Sequence, residues 1–205
     1  MSQQVFPTKG NLIEIKKSLA LARLGFDLLD RKRNILIREM MLMIGQANEV
    51  QSKIDSTFSE AYLALQRANV SLGICGEIAS AVPEETGMDI TYRSVMGVEI
   101  PLVSLTPEPI RLHYGFSLTN SLLDEAYFRF YAVKLLTAQL AEIENGVYRL
   151  AYAIKKIQKR ANALKNVIIP RQESEVKFIA DVLDERDREE FSRLKVIKSG
   201  KKTER

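Results

Sequence analysis

The sequence predicts an all-α fold: a long two-helix, antiparallel, left-handed coiled coil with a short β-hairpin module at the turn end. Three observations carry that expectation. Apolar residues make up 46% of the 205 residues, yet aromatics are only 7% and Trp is absent; a thick globular core draws on more large aromatics. Two separate stretches repeat apolar residues at alternating spacings of three and four. Between them lies a segment rich in proline and β-branched residues.

The first long helix is expected over residues 8–80. Pro7-Thr8 marks its start, with Thr8 placed to cap. Its seam is Leu12, Ile15, Leu19, Ala22, Phe26, Leu29, Arg33, Leu36, Met40, Met43, Ala47, Val50, Ile54, Thr57, Ala61, Ala64 and Ala68. Only Arg33 and Thr57 break the apolar rule. A period of 3.5 held this long specifies a left-handed supercoil rather than a globular amphipathic helix. The pattern weakens at Gly73-Ile74-Cys75-Gly76, and Pro83 ends it.

Residues 81–115 form a middle loop holding four of the six prolines, Pro83, Pro101, Pro107 and Pro109. Asp89–Val95 and Val98–Leu102, separated by Met96-Gly97, read as a β-hairpin near 89–102. Pro101 restricts the second strand to a sheet edge.

The second long helix is expected over 116–198, kinked near Pro170, with a frayed tail at 199–205. Its seam is Leu122, Ala126, Arg129, Val133, Leu136, Leu140, Ile143, Val147, Leu150, Ile154, Ile157, Ala161, Leu164 and Ile168. Beyond Pro170 it resumes one residue out of phase at Val176, Ile179 and Leu183, and later at Phe191 and Leu194, which indicates a kink or stutter. In the simplest, antiparallel pairing, facing residue numbers sum to about 190.

Charge is partitioned along the chain. Residues 1–45 carry eight Lys/Arg against four Asp/Glu, residues 46–150 seven against thirteen, and residues 151–205 fifteen against nine. A hairpin therefore has a basic pole at its termini and an acidic pole at its turn.

The residues exclude more chemistry than they offer. One cysteine, Cys75, rules out an internal disulfide, and no apolar run has the length of a membrane span. No secretory leader is read at the N-terminus. Gly200-Lys201-Lys202-Thr203 fails as a phosphate loop, because Lys195 and Lys202 stand where Gly and Ser/Thr are required. His113, the one histidine, has no Ser or Cys partner in any nucleophile motif, and Cys75 suits packing. Glu84-Glu85 suit a solvated turn, and Asp184–Glu190 a salt-bridged helix face. No catalytic, cofactor-binding or metal-ligating residues are assigned. The clusters Arg31-Lys32-Arg33 and Lys155-Lys156 with Lys159-Arg160 leave three readings open: a solvated face, a nucleic-acid site, or a basic collar against an acidic protein ring. The nucleic-acid reading lacks stacking aromatics and faces an acidic middle.

Several segments resemble the D subunit of vacuolar/archaeal-type (V/A-type) rotary ATPases and ATP synthases. They are Pro7-Thr8-Lys9-Gly10-Asn11-Leu12, Leu28-Leu29-Asp30-Arg31-Lys32-Arg33, Ser94–Pro101, Lys159–Pro170, and Glu185–Phe191 with Arg193-Leu194-Lys195. The resemblance covers nearly the whole chain in order. It implies a non-catalytic central-stalk rotor shaft that transmits torque between ATP hydrolysis or synthesis in the headpiece and ion (H+ or Na+) translocation in the membrane ring. The implied partners are the catalytic A and regulatory B subunits, the stalk F subunit, and the membrane-ring cap subunit (C/d). Neither nucleic acid nor direct membrane insertion is implied, and the implied location is cytoplasmic, peripheral to the cell membrane. Expected headpiece contacts are Arg31, Lys32, Arg33, Lys159, Arg160 and Lys165; expected hairpin contacts are Tyr92, Val95, Met96, Gly97, Val98 and Ile100. A free-standing coiled-coil scaffold or tether is the competing class.

Overall fold

The computed structural model describes residues 6–105 and 112–203. Its elements are helix α1 (Lys9–Leu72), a short helix α2 (Gly76–Ala79), strands β1 (Met88–Val95) and β2 (Val98–Leu105), a 3-10 turn (Phe116–Leu118), helix α3 (Ser121–Ala163), one π turn (Leu164–Ile168) and helix α4 (Ile169–Thr203). The chain divides into two compact units, one made of residues 1–33 with 155–205 and the other of residues 34–154.

Helix α1 starts where its cap allows. The Asn11 N–H donates to Thr8 Oγ1 at 3.2 Å, satisfying a main-chain donor that the first turn leaves without an intrahelical partner. The helix ends at Leu72, short of the expected Ser80. Gly73 adopts φ +84°, a left-handed conformation that glycine takes without a Cβ clash. Helix α3 begins at Ser121 rather than at Phe116, because Asn120 Oδ1 accepts from the Leu123 N–H at 3.2 Å. The same Asn120 donates through Nδ2 to Ser71 Oγ at 2.6 Å, joining the end of α1 to the start of α3. Helix α4 runs to Thr203, where the sequence predicts a frayed tail from residue 199; residues 204–205, like Pro107 and Pro109, lie outside the described residues.

Both units pair their helices antiparallel. In the terminal unit Ser18 meets Gln172 at 2.8 Å, Arg23 meets Glu173 at 2.5 Å and Arg33 meets Gln158 at 2.8 Å. In the other unit Glu60 meets Arg129 at 2.5 Å. These pairs follow the facing-number sum of about 190 expected of the hairpin. Every N-terminal seam position from Leu12 to Ala68 is buried or half-buried, and on the second helix only Ile168 is exposed among the seam positions up to the proline.

The phase shift beyond Pro170 has a local cause. The Ile169 N–H bonds the Leu164 carbonyl, five residues back instead of four. This widened turn holds one extra residue, and one extra residue is what the seam needs to bring Val176, Ile179 and Leu183 back to the partner helix. Ile179 is fully buried. The widening also makes room for the Pro170 ring, which in a regular α-helix collides with the carbonyl four residues back. After Leu183 the seam is uncovered. Phe191 is 70% and Leu194 64% exposed, against the expectation that they continue it. Helix α1 begins at Lys9, level with Asp187, so among the described residues no helix faces α4 further on.

At the turn, Ala68, Cys75, Tyr114 and Leu123 form a small core with Leu72, Ile78, Leu112, Leu122 and Tyr127 around it. Tyr114 donates its hydroxyl to Asp124 at 2.6 Å. Burial first, and this bond second, push the phenol above its ordinary range.

Inserting one alanine after Asn166 should turn Val176, Ile179 and Leu183 away from the partner helix and destabilise the chain by about 3 kcal/mol or more, from the burial of those side chains. Deleting Asn166 together with Pro170→Ala should instead restore a regular α-helix with Ile179 still buried. Thermal unfolding followed by circular dichroism compares the two, and equal melting points would remove the phase argument. For Tyr114, the neutral phenol is the form the fold favours. Its contribution is intact below about pH 10, where the unfolded phenol titrates, and is lost as pH rises further. Tyr114→Phe should cost about 1 kcal/mol at neutral pH and shrink the gap from wild type between pH 8 and pH 11.

Candidate functional site

The side chains arrange three surfaces: a basic, partly apolar one in the terminal unit, a hairpin laid on the other unit, and a cleft at the turn.

The two units divide the charge. Residues 1–33 with 155–205 carry twenty-two Lys/Arg and twelve Asp/Glu, while residues 34–154 carry eight and fourteen. In the terminal unit the Arg33–Gln158 bond sets Arg31, Lys32 and Arg33 at the level of Lys159 and Arg160. Arg31, Lys159 and Arg160 are exposed and Lys32 half-exposed. Arg33 is committed inward, with Asp30 at 2.7 Å and Gln158 at 2.8 Å, which is how a guanidinium occupies a seam position. Lys165 lies one helical turn further on, its ammonium 5.8 Å from the Phe26 ring centre. Five of the six expected residues therefore face outward at neighbouring levels. The uncovered Phe191 and Leu194, with Val196 and Ile197 beside them in sequence, add exposed apolar area that the charge pattern did not reveal.

The hairpin belongs to the connection at the turn and folds back along the helices. Met96 at φ 51° and Gly97 at φ 75° form its two-residue turn, the type whose twist suits a tight hairpin. Ile100, 1% exposed, is its anchor. It enters beside Gly146, where an added methyl would lie 2.3 Å from Met43 Cε and 3.0 Å from Ile100 Cγ2. Around this anchor Arg93 pairs with Glu39 at 2.8 Å, Glu142 accepts from the Val103 N–H at 2.9 Å, and Arg149 donates to the Glu99 carbonyl at 3.2 Å. Arg149 also stacks 5.2 Å over the Tyr92 ring. Of the expected contact residues, Tyr92, Met96 and Gly97 are exposed, Val95 and Val98 half-buried, and Ile100 is inside. Gly146 was missed by sequence reasoning. Its one signal is a glycine inside an otherwise continuous heptad pattern, where glycine costs about 1 kcal/mol against alanine.

The cleft at the turn has a volume of about 740 Å³ and is walled by Cys75, Ile78, His113, Tyr114, Tyr127 and Lys134 among others. Lys134 is engaged by Glu85; that bond, with the Gly87 N–H, holds the Glu85 carboxyl below the usual carboxylate range. His113 is exposed at its rim. Among the described residues no three His, Cys, Asp or Glu gather as a metal site, and no helix is long and apolar enough to cross a membrane.

Known proteins match this chain along nearly its whole length. The family of the ATP synthase D subunit matches residues 11–199. The V-type ATP synthase D subunit of Thermotoga neapolitana is 47% identical over 196 residues, 95% of this chain and 97% of that protein. The A-type ATP synthase D subunit of Methanopyrus kandleri is 38% identical, covering 96% of this chain and 86% of that protein. That of Pyrococcus furiosus is 36% identical, covering 96% and 94%.

Gly146→Leu should lift the hairpin off its helices while leaving helix content unchanged, because the new side chain claims the volume of Ile100 and the end of Met43. Hydrogen exchange across residues 88–105 should quicken by about tenfold or more, matching the loss of one well-buried anchor of about 1.5–3 kcal/mol. Unchanged exchange would show that the polar contacts hold the hairpin without Ile100.

Proposed function

The chain belongs to the family of ATP synthase D subunits, and on that premise we propose that it is the central rotor shaft of a V/A-type ATP synthase. In this reading it transmits torque between the catalytic headpiece and ion translocation in the membrane ring, and carries out no chemistry itself. The observation that carries the proposal is the make-up of the terminal unit. Both chain ends lie in it, Arg31, Lys159 and Arg160 point outward, and α4 runs on past the start of α1 with Phe191 and Leu194 uncovered. A shaft end inside a ring of the A and B subunits needs such a surface, with charge and apolar contacts spread out so that no single one holds it still.

The unit of opposite charge supplies the other end of the transmission. Its hairpin and turn are offered to the stalk F subunit and to the cap subunit (C/d) of the membrane ring, which places the chain on the cytoplasmic side, peripheral to the membrane. The hairpin braces the paired helices near the F-subunit site and tunes turnover. An axle must also be asymmetric: presenting a different face to each catalytic site, its orientation biases their affinities.

Neutralising the outward-facing Arg31, Lys32, Lys159, Arg160 and Lys165 together, in a complex reconstituted with all its components, should preserve helicity and assembly while lowering ion pumping per ATP hydrolysed. Each single substitution should have a small effect, since exposed pairs contribute about 0–1 kcal/mol. Pumping and hydrolysis that both ignore the fivefold variant would sink the collar. A complex that turns over and pumps normally without this chain would favour the scaffold reading instead.

A further inference from the structure

Strand edges are rarely left open, because a row of unpaired N–H and C=O groups templates another strand. The hairpin here closes one of its two edges and leaves the other uncovered. A two-residue turn between Val95 and Val98 makes these two a hydrogen-bonded pair, and pairs then alternate along the ladder. With the register Arg93↔Ile100, Tyr92↔Pro101, Thr91↔Leu102 and Ile90↔Val103, the outward-pointing groups of β2 belong to Glu99, Pro101 and Val103, with Leu105 at the strand's end. On β1 they belong to Met88, Ile90, Tyr92 and Ser94.

At each of the three outward positions of β2 short of its end, one main-chain group is dealt with. The Glu99 carbonyl accepts from Arg149 at 3.2 Å, the Val103 N–H donates to Glu142 at 2.9 Å, and Pro101 has no N–H to leave unpaired. On β1, among the described residues, no hydrogen bond reaches the outward main-chain groups of Met88, Ile90, Tyr92 or Ser94. Of the devices that blunt an edge, β1 carries two charged side chains, Asp89 and Arg93. It has no proline, no lysine and no bulge, and seven of its eight residues are exposed. Met88, Ile90 and Tyr92, which share one face, are 49%, 52% and 57% exposed.

We propose that the free edge of β1 accepts an extended segment of another subunit of the ATP synthase complex as a third strand. The proposal rests on membership of that complex and not on the rotor reading. The edge specifies the chemistry of its occupant. Main-chain groups pair with Ile90, Tyr92 and Ser94, and apolar side chains at alternate positions cover Met88, Ile90 and Tyr92. The charged side chains of β1 add a sign. Arg93 is already paired with Glu39, whereas Asp89 makes no ion pair among the described residues, so a Lys or Arg of the incoming strand fits opposite it. A second copy of this chain is the poorer occupant. Residues 34–154 carry eight Lys/Arg against fourteen Asp/Glu, and two such units repel.

Residue-resolved hydrogen exchange, measured on the isolated chain and on the intact complex, tests this. The inward amides of Thr91 and Arg93 should be slow in both. Those of Ile90, Tyr92 and Ser94 should be fast in the isolated chain and slow by about tenfold or more in the complex, the gain of roughly one net hydrogen bond each. Ile90→Pro removes one outward N–H at a position equivalent to Pro101 and should abolish the slowing at Tyr92 and Ser94, while Ile100 stays buried and the inner amides stay slow. Wild-type outward amides that exchange equally fast in chain and complex would overturn the proposal, whatever the proline variant does. Concentration-dependent slowing in the isolated chain would also overturn it, by making a second copy the occupant. A complex that turns over and pumps normally without this chain, with the slowing intact in the complex that contains it, would count against the rotor reading alone.

Discussion

Everything in this molecule depends on keeping two apolar stripes in register along a pair of antiparallel helices. A two-helix interface is one side chain deep on each helix, so no second layer hides a slipped or rotated segment. Among the described residues only Leu36, Ile100, Leu150 and Ile179 are large side chains with essentially no exposure, and three of them are on the long helices. Each such residue is worth about 1.5–3 kcal/mol when fully removed from water. Stability is thus built from many modest contributions that share one condition, the phase of the helix. The π turn at Leu164–Ile168 follows from that condition. A residue too many in the seam is absorbed locally, and the stripe continues on the correct face.

The same thinness explains where polar groups enter the seam. Arg33 and Arg129 occupy seam positions because neither is sealed off. Arg33 reaches Asp30 and Gln158, and Arg129 reaches Glu125 and Glu60. A guanidinium in a thick core meets a large desolvation cost; at a two-helix seam its fork stays in contact with acceptors at the margin. Ser18 with Gln172 serves the same end through neutral groups. These contacts specify which residues face each other more than they add stability, since exposed pairs contribute little.

The hairpin relates to the helices through one exchange of volume. Gly146 gives up its side chain and Ile100 fills the space, while Glu142 and Arg149, about one helical turn to either side of the glycine, hold the adjoining strand edge. An isolated two-stranded hairpin is marginal in water, so this small module is ordered by the surface it lies on. Its turn adds a local cost, because Met96 holds a positive φ that asparagine or glycine adopts more readily.

Much of this was legible in the sequence. The 3,4 spacing reports directly which side of a helix is buried, and a period held over so many turns leaves one helical solution. Thr8 as cap, Met96-Gly97 as turn and the phase slip past Pro170 are local rules that act within a few residues, whereas α1 stops at Gly73 and not near Pro83 as the pattern suggests. The basic and acidic partition is also local information, once the helices are known to fold back. What the tertiary structure alone decided is which of these groups meet. Gly146 matters only because Ile100 comes to it from 46 positions away, and Arg33 turns inward only because Gln158 is opposite. Phe191 and Leu194, read from the sequence as later seam positions, face solvent because α1 starts at Lys9, level with Asp187, and does not reach them. Periodicity states which face a helix wishes to bury; whether anything arrives to bury it depends on where the other helix begins and ends.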